Sequence, residues 1–549
     1  AKGIPATFIN SSISTGEQRD RLFSMERGAY KIVYIAPERF RNQAFCDAIA
    51  NTKVALLAID EAHCISQWGH DFRPDYLRMA EIREQLDHPP TLALTATATS
   101  QVQRDILQQL NLPEAEVFVY GFERPNLFFE IYDARTKGDK IDRMTALLNH
   151  YDGEAAIVYC ATRKQVEEVA RDLTDVGLLV GLYHGGLSDT ERERVQNDFM
   201  DGVFPVLVAT NAFGMGVDKS DIRVIVHYNI PGSIEAYYQE AGRAGRDGNP
   251  SHCLMLFNFN DRGIHEFFNE QTYPRRNTIE RVWDELAHLG TGTHPLGAEQ
   301  LTDRVNRGRD RRDKKVNSWG VESSMRQLQR AGHLEFGARD GFPWTTVFAL
   351  SRTRDLLVDW EYLDRRREVN EGLLQDVVSL TSGRTCRQLY LLRYFNSKPS
   401  FEKGCGNCDI CCGMPEYARN AMLANTQKTL IPEGRATLVQ KVLSGVARAR
   451  GRCGAHLIAQ SLRGSRAKKV KQFGLDRLST YGVVSYLKQP DIVSLLDQFL
   501  RHDLIKRNQH GAISLTELGN TVMHDPEQAP DDLALWLESA FVERRAAPR

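Results

Sequence analysis

The sequence lacks the features of membrane, secreted and disordered proteins. Its 549 residues contain no run of about 18 apolar residues, which excludes a spanning helix and predicts no membrane partner. The sequence also has no leader pattern of the kind that would predict secretion. The net charge is only −1, and 26% charged and 9% aromatic residues exclude global disorder. At roughly 150 residues per domain, the length predicts three or four domains.

Acidic residues are missing from one long segment of this nearly neutral chain. From Gly434 to Leu475 the sequence has ten Lys and Arg residues and no Asp or Glu. Such a segment predicts a face that binds phosphate groups, although a run of charge is also typical of a solvated surface. The densest part of the segment is Arg463, Arg466, Lys468, Lys469 and Lys471.

Short apolar runs alternate with amphipathic patterns in two consecutive regions, residues 1–132 and 133–262. Continuous Val, Ile and Leu runs of this length predict buried parallel strands. Two doubly wound units predict an α/β fold with two parallel-sheet lobes and a cleft between them. The predicted strands are Lys31–Ala36, Val54–Asp60, Thr91–Thr95 and Val117–Tyr120, then Ala155–Cys160, Gly177–Tyr183, Val206–Thr210 and Val224–Tyr228.

The pattern becomes mostly helical after residue 262. A helix at Val321–Ala331, followed by strand-like pieces at His333–Phe336 and Thr345–Leu350, predicts a winged-helix-like domain. Farther along, helices separated by a basic turn are again followed by a hairpin. The predicted divisions are 263–384 (helical, winged-helix-like), 385–425 (cysteine-rich), 430–525 (helices, then hairpin) and 526–549 (tail).

Four of the ten cysteines follow the spacing of a metal site rather than a disulfide framework. Cys386 is followed after eighteen residues by Cys405, Cys408 and Cys411. Four thiolates at this spacing favour tetrahedral Zn²⁺, with free thiols and an iron–sulfur cluster as the alternatives. Cys412 lies just outside the pattern. We expect the metal to stabilise a small domain that lacks its own core.

Two carboxylates follow the second predicted strand. Asp60 and Glu61 stand at its carboxyl end, where open α/β sheets bind ligands, and His63 follows shortly after. An Asp at this position can hold Mg²⁺, and the adjacent Glu can polarise the water that attacks a γ-phosphate. The alternative is a strand end whose acids begin a helix.

Aromatic and basic residues are interleaved just after these acids. Trp68, Phe72 and Tyr76 recur every four residues beside His70 and Arg73, in a segment that also contains Gly and Pro. Aromatic rings with an arginine form a stacking platform for single-stranded bases. Aromatics at this spacing are more often core residues, but the Gly and Pro favour a loop.

Two glycine-containing segments of the second region carry further polar residues. Glycine lets a backbone approach a ligand closely, so the first segment suits a loop that touches a nucleic-acid backbone and the cleft. Arginines of the second segment can reach a γ-phosphate across the cleft. The alternatives are a plain strand-to-helix turn for the first segment and an exposed basic turn for the second. The candidate residues are Thr210, Gly214 and Asp218 in the first segment and Gln239, Arg243 and Arg246 in the second.

These strings resemble the RecQ family of superfamily 2 DNA helicases. The resemblance runs from the first residues to about Asn260 and resumes at Thr385. It implies an ATPase stimulated by DNA that uses ATP and Mg²⁺, holds Zn²⁺, moves 3′→5′ along one strand and separates duplexes. The matching strings are AIDEAHCISQWGHDFRPDY, LTATAT, FERPN, ATNAFGMGVDK and YYQEAGRAGRDG.

The resemblance also implies residue roles and partners. Asp60 and Glu61 are the Walker B acids, His63 couples the lobes, and Gln239, Arg243 and Arg246 match the sensor and arginine-finger positions. Residues 430–525 correspond to a winged helix that binds duplex DNA, with His510 at the tip of its wing. The implied partners are single-stranded and forked duplex DNA and a single-strand-binding protein. The implied setting is a cytoplasmic, nucleoid-associated bacterial monomer acting in replication, recombination, repair and the SOS response.

The chain departs from the family pattern in its phosphate-binding sequence. No Gly-Lys-Ser or Gly-Lys-Thr occurs, so G-x-x-x-x-G-K-[ST] is absent. Because that lysine and its loop hold the β- and γ-phosphates, we expect an amino-terminally truncated helicase that barely hydrolyses ATP. The alternative is a non-catalytic DNA-binding protein with zinc and winged-helix domains that keeps a degenerate motor.

The second departure is an insertion of about 115 residues between the motor and Cys386. It contains a basic cluster that could contact DNA, but interleaved acids make a solvated loop an equal alternative. The basic residues are Arg304, Arg307, Arg309, Arg311, Arg312, Lys314 and Lys315.

Overall fold

A computed structural model gives the fold over residues 3–10, 13–50, 52–134, 136–214, 217–307, 315–339, 341–348, 352–413, 415–418, 429–508 and 512–543. The chain forms two compact units, residues 1–412 and residues 413–549. Within the described ranges, no helix combines the length and apolar composition needed to cross a membrane.

Within its described residues, the first lobe contains four short strands and four α-helices. They are β1 (Ala6–Ile9), α1 (Thr15–Glu26), β2 (Ile32–Ile35), α2 (Gln43–Ala50), β3 (Leu57–Ile59), α3 (Met79–Gln85), β4 (Thr91–Ala93) and α4 (Ser100–Gln109). The strands pair in two separate parallel sheets, β1 with β2 and β3 with β4. Ile9, Ile59, Ile65 and Ile106 belong to one buried core that joins them.

The strand predicted at Val117–Tyr120 is not formed. These residues have no regular secondary structure, and their side chains are exposed. An apolar run forms a strand only where a neighbouring strand accepts its backbone hydrogen bonds, and none of the described strands pairs with this segment.

The second lobe is built on a six-stranded parallel sheet. Its elements are β5 (Leu127–Asp133), α5 (Lys137–His150), β6 (Ala155–Tyr159), α6 (Arg163–Asp175), β7 (Val180–Tyr183), α7 (Asp189–Met200), β8 (Val206–Ala209), β9 (Ile222–His227), α8 (Ile234–Ala241) and β10 (Ser251–Phe257). The strand order is β5-β10-β9-β6-β8-β7, and every pair is parallel. The predicted α/β fold with a parallel-sheet core is thus confirmed. The predicted boundary between residues 132 and 133 falls inside β5.

The insertion after the second lobe has the element order of a winged helix. Its elements are α9 (Arg262–Thr272), α10 (Arg276–Leu289), β11 (Gly292–His294), α11 (Ala298–Arg307), α12 (Ser318–Arg330), β12 (Leu334–Arg339) and β13 (Phe342–Val347). The strands form an antiparallel sheet in the order β11-β13-β12. Trp283, Leu301, Met325 and Leu328 are fully buried in its own core.

The helices around the cysteines pack onto the second lobe. They are α13 (Trp360–Ser382), α14 (Arg387–Tyr394) and α15 (Asp409–Cys412). Leu374, Phe395 and Cys408 belong to the same buried cluster as the six-stranded sheet. Asp409 Oδ2 accepts a hydrogen bond from the Ile131 amide of β5 at 3.0 Å. The cysteine region therefore extends the core of the motor, which differs from the separate small domain expected.

Among its described residues, the second unit consists of helices and two short strand pairings, β14 with β17 and β15 with β16, around one core. Its elements are β14 (Thr429–Ile431), α16 (Arg435–Ala449), α17 (Ala455–Arg463), α18 (Lys468–Gln472), α19 (Gln489–Arg501), β15 (Ile505–Arg507), β16 (Ile513–Leu515), α20 (Glu517–His524), α21 (Asp531–Ala540) and β17 (Phe541–Glu543). Two predictions differ from this. Part of the basic turn is helical, as α18. The predicted tail includes α21 and β17, whose Leu533 and Phe541 are buried in the core.

Candidate functional site

A cavity of about 960 Å³ lies between the two lobes of the first unit. The first lobe contributes Glu61, and the second contributes Gly214, Gln239, Arg243 and Arg246. Asp218 also lines it. The fold therefore brings together, on one cavity, candidate residues that are up to 185 positions apart in the sequence.

Glu61 is held in a specific position beneath this cavity. Its backbone is in the left-handed region (φ 48°), a conformation that is costly for residues other than glycine and often found at functional sites. The Asp60 carboxylate accepts a hydrogen bond from the Glu61 amide at 2.8 Å, and Gln239 Nε2 donates to Glu61 Oε1 at 3.2 Å. Burial and the neighbouring Asp60 raise the pKa of Glu61. A raised pKa suits a carboxylate that accepts a proton from water.

The two arginines are fixed by the loop that follows β8. Arg243 is buried and donates to the Gly214 carbonyl oxygen. A Cβ at Gly214 would lie 2.8 Å from Arg243 Nη2, so any other residue here would displace the end of the Arg243 side chain. Arg246 forms an ion pair with Asp218 at 2.9 Å. Both segments were predicted to lie near the cleft, but the contacts between their residues were not predicted.

His63 lies in a buried histidine pair next to the acids. Its ring stacks on His70 with centroids 4.7 Å apart, and its Nδ1 is 2.9 Å from the Thr95 hydroxyl of the LTATAT string. Burial lowers the pKa of His63 to about 4 and that of His70 to about 3, so both rings are neutral near pH 7. Thr95 was not singled out in the sequence, because threonines in such a string carry no spacing signal.

The buried neutral His63 predicts acid sensitivity of the first unit. In the unfolded chain this histidine takes up a proton near pH 6.5, whereas the folded protein resists protonation down to about pH 4. Its contribution to the free energy of unfolding is therefore complete above pH 6.5 and falls by about 1.4 kcal/mol per pH unit between these values. Denaturant unfolding at several pH values gives the free energy of unfolding as a function of pH. Between about pH 4 and pH 6.5, the slope of this dependence should be smaller by about 1.4 kcal/mol per pH unit in His63→Asn than in the parent. The same change at the exposed His288 is the control, and equal slopes in both variants would contradict the prediction.

The aromatic-rich loop (residues 68–76) exposes only some of the rings that were predicted to stack on bases. Trp68 is 41% exposed, but Tyr76 is buried in the core of the first lobe and is not available to stack on bases. Phe72 is partly covered by Arg366 of α13, whose Cζ lies 5.6 Å from the ring centroid. Arg73 is held by Asp71 at 2.6 Å. The regular four-residue spacing thus places its three aromatics in three different environments.

Two further contacts bear on the predicted DNA surface. Arg366, which the sequence analysis missed, also donates to the Gln67 carbonyl oxygen and fixes the start of the loop. Thr210 is buried at the end of β8, and its neighbour Asn211, not Thr210, lines the adjoining cavity beside His70 and Arg73. A buried threonine is poorly placed for a direct DNA contact.

The second unit carries the predicted basic face. All five basic candidates are exposed, and within the described ranges none forms an ion pair. Their charges are therefore available to an anionic partner. His510, the predicted wing tip, lies outside the described residues. The five are Arg463, Arg466, Lys468, Lys469 and Lys471.

The four predicted ligand cysteines converge. The sulfur atoms of Cys386, Cys405, Cys408 and Cys411 lie within 4.8 Å of one another, and those of Cys386 and Cys408 are 4.0 Å apart. Tetrahedral Zn²⁺ with Zn–S bonds of about 2.3 Å needs sulfur separations of about 3.8 Å, so the donor set fits zinc. Cys412 instead approaches the Gly406 carbonyl oxygen at 3.1 Å. It was expected to be a bystander and does not join the cluster.

Four family descriptions match the chain in order. They are DEAD/DEAH box helicase (residues 3–106), Helicase conserved C-terminal domain (139–248), RecQ zinc-binding (350–412) and RQC domain (436–530). Curated relatives extend the match over nearly the whole chain. The ATP-dependent DNA helicase RecQ of Bacillus subtilis is 34% identical over 507 residues, which are 92% of this chain and 67% of the relative.

The chain belongs to the RecQ family. The ATP-dependent DNA helicase RecQ of Pasteurella multocida is 30% identical, with 95% of this chain and 66% of the relative covered. The chain thus spans about two thirds of the length of these RecQ proteins. Among solved structures, S. cerevisiae Dbp5 bound to RNA and ADP BeF3 matches at 20% identity and a TM-score of 0.39, over 48% of this chain and 66% of that one. The expected resemblance to RecQ helicases is confirmed, with zinc-binding and RQC domains in the expected order.

Proposed function

We propose that this chain is the motor and DNA-binding part of an ATP-dependent 3′→5′ DNA helicase. The observation that carries the proposal is the contact of Gln239 in the second lobe with Glu61 in the first, on the cavity that Arg243 and Arg246 also line. Residues from both lobes would then face one ATP molecule, so hydrolysis can be linked to movement of the lobes.

Each residue has a chemical role in this proposal. Asp60 would hold Mg²⁺, which neutralises phosphate charge when it is bound. Glu61 orients and polarises the attacking water, and Gln239 fixes the Glu61 carboxylate through their hydrogen bond. Arg243 and Arg246 stabilise charge that develops on the γ-phosphate.

DNA can influence this site through the aromatic-rich loop. The loop begins shortly after Glu61 and contains His70, whose ring stacks on His63. His63 in turn lies 3.3 Å from the second oxygen of Glu61. A strand that stacks on Trp68 would therefore act on the carboxylate through a short chain of contacts, which accounts physically for hydrolysis stimulated by DNA.

The proposal extends to the partners and setting that the family implies. It includes single-stranded and forked duplex DNA, the basic face of the second unit as a duplex contact, and a single-strand-binding protein. It also includes action as a monomer at the bacterial nucleoid in replication, recombination, repair and the SOS response. The support for these is membership of the RecQ family and the exposed, unpaired basic residues.

The missing phosphate-binding sequence gives the test. We expect the 549-residue chain to bind single-stranded DNA and zinc but to hydrolyse ATP very slowly, because it contains no Gly-Lys-Ser or Gly-Lys-Thr. A chain extended by a segment with G-x-x-x-x-G-K-[ST] should gain turnover stimulated by DNA. Glu61→Gln in the extended chain should lower this turnover by about 100-fold or more.

Each outcome distinguishes the interpretations. Turnover by the unextended chain would show that phosphate binding has another source. An extended chain that binds DNA and zinc but never hydrolyses ATP would favour the non-catalytic DNA-binding protein, for which the missing sequence is the supporting observation. If the extended chain and its Glu61→Gln variant hydrolysed ATP at the same rate, Glu61 would have no role in hydrolysis.

A further inference from the structure

The winged helix formed by residues 276–347 is not covered by the four matching family descriptions, which leave residues 249–349 unassigned. It has its own buried core and a complete order of helix, strand, two helices and hairpin. The insertion is therefore a folded domain and not a long loop between the second lobe and the cysteine region.

Part of one face of α12 is exposed to solvent. Val321, Met325 and Leu328 face the domain core, and Gly320 packs against Gln271 of α9. The opposite face carries the exposed Arg326, Gln329 and Arg330 and the half-buried Glu322, while Trp319 packs against Phe268 of α9 with ring centroids 5.6 Å apart. In helix–turn–helix domains the corresponding second helix of the motif lies in the major groove of DNA.

The wing presents an aromatic ring and an arginine side by side. Arg339 and Phe342 are cross-strand partners at the end of the β12–β13 hairpin, where Gly341 has φ +81°. Both are exposed, and Phe342 is 77% exposed. An arginine can contact a phosphate while the neighbouring ring packs on a sugar or a base, so this pair has the chemistry of a nucleic-acid contact.

The charge of this domain is divided along the chain. Residues 279–300, which include most of α10, contain four acids and one Arg. Residues 304–315, which lead from α11 into α12, contain seven Lys and Arg and two acids. Of these basic residues the structure describes Arg304, Arg307 and Lys315, and all three are exposed, as expected for residues that can face phosphates.

We propose that the inserted winged helix is a second module for duplex DNA, separate from the RQC domain. Arg326 of α12 and Arg339 of the wing contact phosphates, and Phe342 packs against the duplex at the wing. The module adds affinity for the duplex without nucleotide, so its test does not depend on ATP hydrolysis.

Binding of the full chain to a labelled duplex, measured without nucleotide over a range of salt, tests the two arginines. Arg326→Ala with Arg339→Ala should weaken binding by about fivefold to tenfold and reduce the salt slope by about 2. The matched control is Arg365→Ala on α13. Arg365 pairs with Glu361 at 2.6 Å, as Arg326 pairs with Glu322 at 2.6 Å, and both arginines are exposed. If the double variant and the control have the same affinity and salt slope as the parent, the proposal fails.

A photocrosslinking side chain at position 342 provides a measurement that does not depend on affinity. It should crosslink to the duplex more strongly than the same side chain at Leu357, which is 78% exposed against 77% for Phe342. The Leu357 amide donates to His333 at the opposite end of β12, about 20 Å from the wing tip. Equal crosslinking at the two positions, or crosslinking to single-stranded DNA alone, would overturn the proposal. The proposal would also be overturned if a bound protein, but not duplex DNA, reduced the accessibility of the side chain at position 342.

Discussion

Replacing Cys408 with serine is expected to abolish stoichiometric zinc binding and to lower the stability of the whole first unit. Cys408 is fully buried, its sulfur lies 4.0 Å from that of Cys386, and its backbone pairs with Phe129 at the edge of β5. Because zinc would be held by four thiolates, losing one of them removes most of the binding energy. Metal analysis should give close to zero zinc per chain, and thermal unfolding should occur at lower temperature.

The neighbouring Cys412 gives a matched control for this experiment. It is one residue from a predicted ligand but lies outside the group of four sulfur atoms. Cys412→Ser should therefore keep one zinc per chain and the parent stability. Loss of zinc in both variants would mean that Cys412 is a ligand. Zinc retained by Cys408→Ser would contradict the four-cysteine site.

Residues that belong to motifs with a characteristic local spacing could be predicted from the sequence to lie at a common site. The cysteine pattern identified four sulfur atoms that converge in the fold, and Glu61, Gln239 and Arg243 were identified as cleft residues that line one cavity. Such motifs are informative because a short segment contains the residue types that the chemistry of the site requires.

Features that depend on distant partners were not predictable. Tyr76 fits both a stacking platform and a core, and only packing against the first lobe makes it a core residue. β5 and β10 were missed because their pairing with each other, across more than 100 residues, defines them as strands. Arg366 gave no sequence signal, since an arginine in a charged helix is ordinary until the helix is docked.

The position of α13 links the inserted domain to the motor. This helix begins shortly after the winged helix, and Arg366 reaches from it to Gln67 and Phe72 at the aromatic-rich loop. The opposite side of that loop is held by the stacked His63 and His70 beside Glu61. Since Leu363 of the same helix belongs to the core of the inserted domain, α13 contacts both that domain and the loop beside Glu61.

A buried ion pair in the second lobe provides the other large expected effect. Lys140 of α5 and Asp261 after β10 are both buried and lie 2.7 Å apart, and Lys140 also donates to the Tyr228 carbonyl oxygen. Burial lowers the pKa of Lys140, and Asp261 opposes this shift. Lys140→Met would leave Asp261 buried with Asn229 as its remaining partner, at 3.2 Å. Removing one partner of a buried pair costs about 3–5 kcal/mol in the free energy of unfolding.

The same helix contains the control for this prediction. Lys137 pairs with Asp172 at 2.6 Å, but its side chain is 54% exposed. Lys137→Met should therefore cost less than about 1 kcal/mol, because water compensates both charges when an exposed pair is broken. Urea unfolding of the two variants and the parent measures both costs in one protein. Similar costs for the two substitutions would mean that water or another group reaches Asp261, and that this pair does not stabilise the second lobe as its burial implies.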